Sequence, residues 1–188
     1  AVSSDVLNLY SLSLKVNVQI LRTPVISIDD IVENPKEISE SNSSVPLNII
    51  RACWLQESKG LENFLLAVKE VSKKSTVMVD IFGVAKHSQY GNTLSNLIKM
   101  LDLSRVVTLK GWMSNEDLKV KYKDYDLHVM SSLSEGMPRV CLEASAQGIP
   151  QLVTPVGGIC DFFTHLHDAY ITEDCSAKCL QNGIEWFI

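Results

Sequence analysis

The chain has 188 residues, a formal charge of −5 and five cysteines, with 46% hydrophobic and 21% charged residues. That length holds one domain, or one and a small appendage, and the fractions are those of an ordinary soluble globule, which excludes a disordered or fibrous chain. The acidic balance argues against a dedicated nucleic-acid binder, and no stretch is long and apolar enough to span a bilayer as a helix.

The start, Ala1-Val2-Ser3-Ser4-Asp5, has neither an initiator Met nor a basic segment followed by an apolar one. It reads as no secretory signal, and the expectation is a chain that begins partway through a longer protein. Residues 1–44 are expected to be a lead-in segment and polar linker. Within them, Val16-Asn17-Val18-Gln19-Ile20 alternates like a short strand, and residues 29–44 are rich in Ser, Asn, Glu and Pro. Residues 47–53 form the first apolar strand. A helix follows from Gly60 to about Lys73, with Leu61, Phe64, Leu65, Val68 and Val71 on one face. Residues 76–82 form a strand ended by Gly83. Leu94, Leu97, Ile98 and Leu101 mark a second amphipathic helix, and residues 106–109 a strand ended by Gly111. Residues 115–123 form a short helix with Ser114 as N-cap, and 126–130 a strand. A helix begins near Pro138 and runs to about Gln147, stopped by Gly148 with Pro150 beyond. A strand at 151–154, a short helix near Asp161, a strand at 169–171 and a helix from Ser176 complete the series.

This alternation predicts an α/β fold, a Rossmann-like doubly wound parallel sheet with helices on both faces. Crossovers of one hand put the strand ends on one edge, where ligands bind at the point of order reversal. Gly83, Gly111 and Glu135 each follow a strand, so they are expected to converge on one crevice. Residues 45–188 are expected to be the ligand-binding domain.

The most informative run is Glu135-Gly136-Met137-Pro138-Arg139-Val140-Cys141-Leu142-Glu143. Gly136 permits a tight turn. Pro138 suits the first turn of a helix, where no amide hydrogen is needed. That first turn leaves free N–H groups and a partial positive charge suited to phosphate. Glu135, acceptor-only when ionised, would repel a phosphate in contact and should face a neutral polyol instead. Glu143, inside the helix, could accept from two adjacent ribose hydroxyls. A nucleoside diphosphate sugar carries all these groups.

The run resembles the E-x7-E signature of the retaining glycosyltransferases of family 4, also called group 1. The longer pattern E-G-x-P-x-x-x-L-E-A-x-A-x-G-x-P-x-x-x-T-x-x-G-G is matched almost throughout by Glu135 to Gly158. The resemblance covers roughly Leu47 to Ile171 and implies the C-terminal, donor-binding half of a two-domain GT-B enzyme, with the acceptor domain absent from this chain. It further implies that Lys59, in Glu57-Ser58-Lys59-Gly60, holds the diphosphate, that Trp112 and Met113 after Gly111 line the base pocket, and that Gly157-Gly158 lies near the donor. Glu135 and Lys59 are then the catalytic residues. Glu143, Gly136, Met137, Pro138, Trp112, Met113, Gly83 and Arg51 bind the donor.

Two departures stand out. The family's Arg five or six residues before the Lys is replaced by Trp54 and Cys53, and the nearby Arg is Arg51, eight residues before. Arg51 reaches the site only if the loop is rearranged; otherwise it forms an ion pair. Val84-Ala85 stands where a second glycine is usual. Arg139 is expected to face solvent or pair, and His128, in an apolar strand, to be a satisfied core histidine.

The resemblance implies a nucleotide-sugar donor and no metal or other cofactor. The odd set of cysteines suggests reduced thiols in a cytosolic protein, and Cys175, Cys179, His165 and His167 match no common zinc spacing. Location is expected to be cytoplasmic or at the cytoplasmic membrane face, any peripheral membrane association running through the absent half. Three alternatives are a glycoside hydrolase using Glu135 and Glu143 as its carboxylate pair, a nicotinamide dinucleotide domain, and a non-catalytic nucleotide-sugar sensor or assembly module. The second lacks the early G-x-G-x-x-G fingerprint. The loss of the Arg supports the third.

Overall fold

The computed structural model describes residues 26, 31–32, 45–84 and 89–188. The expected strand at 16–20 and nearly all of the 29–44 linker lie outside the described residues. Six strands form one parallel sheet: β1 (Leu47–Ala52), β2 (Val77–Phe82), β3 (Val107–Gly111), β4 (Leu127–Met130), β5 (Gln151–Val153) and β6 (Tyr170–Ile171), in the order β3-β2-β1-β4-β5-β6. The helices are α1 (Leu61–Val71), α2 (Gln89–Met100), α3 (Asn115–Lys121), α4 (Arg139–Ala146), α5 (Ile159–Phe162) and α6 (Ala177–Trp186). This is the α/β, Rossmann-like arrangement expected from the alternation.

Because successive strand residues point to opposite faces, the sheet buries side chains on both, in three clusters among the described residues. The first joins Ile49, Val79, Ile81, Leu127 and Val129 to Phe64, Leu65 and Val68 of α1, Leu94 and Ile98 of α2, and Leu180 and Ile184 of α6. The second joins Ile50, Ala52 and Phe82 to Leu118 of α3, to Tyr122 and to Ala144 of α4. The third joins Met130 and Val153 to Cys141 of α4, Ile159 of α5, Phe163 and Ala169. Burying one such side chain fully contributes about 1.5–3 kcal/mol, so α1, apolar along one whole stripe, is the best anchored helix.

The local signals acted as the physics requires. The Ser114 hydroxyl accepts from the Asp117 amide at 3.1 Å to cap α3, and the Ser176 hydroxyl accepts from the Cys179 amide at 3.2 Å to cap α6. Two boundaries differ from expectation. Helix α3 tightens into a 3-10 turn at Tyr122–Asp124, and Gly111 ends β3 from within the ladder, paired with Phe82. A 3-10 turn at Glu57–Lys59, unforeseen in the sequence, ends on Gly60 with φ 59°. Gly60 thus closes one turn and opens α1.

His128 corrects an expectation. It is fully buried and its Nδ1 lies 2.7 Å from Gln151 Oε1, but Nε2 has no partner. Only half of the imidazole is satisfied. Burial, and then the nearby Arg51 charge, push its pKa down to about 3, so it is neutral.

Candidate functional site

The order of the sheet reverses between β1 and β4, and the loops leaving those two strands face each other there. They are joined by backbone: the Leu133 amide donates to the Ser58 carbonyl at 2.8 Å, and the Ser131 hydroxyl to the Lys59 carbonyl at 3.0 Å. Gly60 is obligatory in this junction, since a Cβ there would stand 2.1 Å from the Ser131 carbonyl oxygen. The neighbouring strand ends are also tied together, Cys53 amide to Phe82 carbonyl at 2.9 Å and Gly83 amide to Gly111 carbonyl at 2.8 Å. The strand ends carrying Gly83, Gly111 and Glu135 therefore share one sheet edge.

Lys59 and Glu135, 76 positions apart, meet at this reversal. Lys59 Nζ lies 2.8 Å from Glu135 Oε1, and the two side chains are 14% and 13% exposed. Such a partly buried, charge-assisted hydrogen bond is worth about 1.5–3 kcal/mol. The ammonium has three donors, so Lys59 can hold Glu135 and an external anion together. The Ser132 hydroxyl donates to the same Oε1 at 2.6 Å. The Glu135 backbone is held by the following loop. The Gly158 amide donates to the Gly136 carbonyl at 2.7 Å, and Gly157, at φ 59°, approaches so closely that a Cβ would lie 2.5 Å from the Glu135 carbonyl oxygen.

Helix α4 begins beside this loop, with Pro138 at its N-cap. Its first turn is less open than expected. The Arg139 and Cys141 amides donate to the carbonyls of Met137 and Pro138, at 2.9 and 3.0 Å, which leaves the Val140 amide as the first-turn donor for an anion. Met137 is half-buried and Gly136 exposed, with open space where a Cβ would stand. Glu143, one helix turn on, is 14% exposed and lies 3.9 Å from the largely exposed Arg139 guanidinium. That is a loose ion pair, longer than a hydrogen bond. Glu135 and Glu143 share a neighbourhood: burial, chiefly, and both carboxylates push the Cys141 thiol up to about 12, against the lowering effect of Arg51.

Arg51 takes neither expected course. It is 0% exposed; Nη2 donates to the Ser132 hydroxyl at 3.0 Å and Nη1 to the Ala52 carbonyl at 3.2 Å, while Nε has no partner. It forms no ion pair among the described residues and offers no surface to a ligand in this structure. Its connection to the site runs through Ser132. Trp112 is 72% exposed at the β3 end, so it is no core aromatic, whereas Met113 packs half-buried against the second core. Trp54 is 65% exposed.

Ser131 and Ser132 escaped the sequence reading. Their signal is faint: two hydroxyls directly after the buried strand β4. Thr154 fixes them further, its hydroxyl donating to the Ser132 carbonyl at 2.7 Å.

The model of the glycosyl transferases group 1 family matches residues 46–188. The chain belongs to the group 1 glycosyltransferases. It is 30% identical over 111 residues to an uncharacterised glycosyltransferase of Methanocaldococcus jannaschii, covering 59% of this chain and 28% of that protein. It is 25% identical over 151 residues to the Escherichia coli colanic acid biosynthesis glycosyltransferase WcaL, itself assigned only provisionally, covering 77% of this chain and 36% of WcaL. The chain therefore spans about a third of the length of these curated relatives. Among solved structures, the apo lipopolysaccharide outer core galactosyltransferase WaaB superposes with a TM-score of 0.79 at 18% identity, over 100% of this chain and 52% of that one. A Rickettsia africae glycosyltransferase gives 0.71 at 21% identity, over 79% of this chain and 38% of that one. Anabaena HepE, solved with UDP and glucose, gives 0.68 at 20% identity, over 77% of this chain and 39% of HepE. At these identities the structures establish the shared GT-B half-fold.

Proposed function

We propose that this group 1 domain is the donor-binding half of a retaining family 4 glycosyltransferase that moves a sugar, of hexosyl type, from a nucleoside diphosphate to an acceptor. One observation carries the reading: Lys59 and Glu135, an ammonium and a carboxylate from distant strands, converge 2.8 Å apart where the sheet order reverses. HepE, of the same fold, is described in complex with UDP and with UDP-glucose, which supports a nucleotide-sugar donor.

Cleavage at the anomeric carbon builds positive charge on the sugar and negative charge on the departing diphosphate. Lys59 and the Val140 amide meet the diphosphate, so the chemistry requires no metal. Glu135 faces the sugar and favours the developing cation. Glu143 swings from its loose contact with Arg139 to accept from the ribose hydroxyls. Trp112 and Met113 flank the base, and Gly83, Gly136, Met137 and Pro138 shape the walls. The acceptor is held by a second domain, whose closure over the donor completes the site. Any membrane association lies there, and the reaction takes place in the cytoplasm or at the cytoplasmic membrane face.

A thermal-shift screen with UDP-, GDP- and ADP-sugars tests the reading. Lys59→Ala and Glu143→Ala each abolish the shift given by the best ligand. If both variants retain it, the site lies elsewhere. A second reading, a non-catalytic nucleotide-sugar module, draws on the exposed Trp54 and the full burial of Arg51, which leaves it no surface for a ligand. Donor binding without turnover by the intact protein would select it.

A further inference from the structure

The hydroxyl of Ser132 stands between two groups of fixed hydrogen-bonding character. On one side is the Arg51 guanidinium, a donor only, 3.0 Å away. On the other is the Glu135 carboxylate, an acceptor only when ionised, 2.6 Å away. A serine hydroxyl has a single proton. Because Arg51 can only donate, Ser132 Oγ must accept from it, and the proton is left for Glu135. Lys59 approaches the same oxygen, Oε1, at 2.8 Å. Both short contacts thus fall on Oε1, and a carboxylate held through one oxygen keeps its second oxygen available as an acceptor.

Every part of this relay is held. Arg51 is 0% exposed within β1 and is also tied to the Ala52 carbonyl. Ser132 is buried, and its carbonyl accepts from Thr154. A fully buried guanidinium is costly to place in an apolar strand, and here it is aimed at the hydroxyl that touches the site's carboxylate. When a diphosphate draws the Lys59 ammonium toward itself, the Ser132 contact remains to hold the carboxylate.

We infer that Ser132 is a positioning residue, its hydroxyl directed by Arg51, that fixes Glu135 so that Oε2 is presented to the donor sugar. This rests on the proposed role of Glu135. A loosened Glu135 loses its grip on the sugar alone, because it does not touch the nucleotide. The effect therefore appears in the difference between a nucleotide sugar and its bare nucleotide.

The test is calorimetric titration of this chain with UDP and UDP-glucose, GDP and GDP-mannose, and ADP and ADP-glucose, followed with the pair that binds best. Ser132→Ala weakens the nucleotide sugar about ten-fold relative to the matching nucleotide, a change of the size expected for a lost hydrogen bond to a charged group. Ser132→Thr, which keeps the hydroxyl, restores the ratio. Ser132→Ala adds little in a Glu135→Ala background, since both act through one carboxylate. Arg51→Met gives the same selective loss; should it not fold, the Ser132 pair decides alone. If Ser132→Ala weakens nucleotide and nucleotide sugar equally, or changes neither, while Glu135→Ala lowers the ratio, this inference is overturned and the donor site stands. If Glu135→Ala leaves the ratio unchanged, or the wild-type chain binds no nucleotide, the underlying reading fails and takes this inference with it.

Discussion

At the scale of single residues, the chain places charge where burial makes it expensive. Arg51 and His128 are both fully buried on neighbouring strands, and each keeps one nitrogen without a partner. For His128, burial first and the Arg51 charge second hold the folded pKa near 3, against an ordinary value of 6.5. The folded state therefore excludes a proton that the unfolded chain accepts. The stabilisation is complete above pH 6.5 and is lost as the pH falls below it, at about 1.4 kcal/mol per pH unit. Urea unfolding between pH 7.5 and 5 should show this slope, and His128→Gln should remove about one proton's worth of it. An equal slope in the variant would show that His128 does not titrate on unfolding. Sequence reasoning placed His128 in the core correctly because its neighbours are apolar. It could not foresee the empty Nε2, since that depends on which side chains a distant helix brings over the ring. Arg51 was harder still: a cation in an apolar strand signals a function, but its partner, Ser132, lies 81 positions away.

At the scale of elements, the site is a junction of two loops, and glycine sets how closely they approach. Gly60 adopts φ 59°, which an L side chain takes up at a cost of about 1–2 kcal/mol, and its missing Cβ leaves room for the Ser131 carbonyl. Gly60→Ala should destabilise the domain by at least about 2 kcal/mol. It should also separate Lys59 from Glu135 and so reduce nucleotide binding. Retained stability together with retained binding would show that the junction is not what assembles the site. The strands and the helices with a clear apolar stripe were legible to within a few residues, because period and end signals such as Ser114, Gly148 and Ser176 act locally. The 3-10 turn at Glu57–Lys59 was not legible, because it is held by contact with the loop after β4. The first turn of α4 is a similar case: its tip was foreseen, but not that Met137 and Pro138 would accept two of its amides.

At the scale of the whole molecule, the order β3-β2-β1-β4-β5-β6 does what no single motif could. It brings Lys59 and Glu135 to one edge. Alternation of strands and helices predicts a parallel sheet and a shared edge, but not which strands are neighbours. The E-x7-E run gave, by resemblance, the expectation that Lys59 and Glu135 serve one site, while the strand order itself was not legible. Among the described residues, no helix is long and apolar enough to cross a membrane. The proposed division of labour, with the donor here and the acceptor on a second domain, predicts that this chain alone transfers no sugar. An assay with several nucleotide sugars and glycan acceptors checks it, and efficient turnover would refute it.

A crystal structure of this chain with its best-binding nucleotide sugar would locate the donor outright. The pyrophosphate is expected within hydrogen-bonding distance of Lys59 Nζ and the Val140 amide, the sugar against Glu135 and the ribose at Glu143. A nucleotide bound away from the reversal between β1 and β4, or a diphosphate that leaves Lys59 untouched, would contradict this placement of the donor.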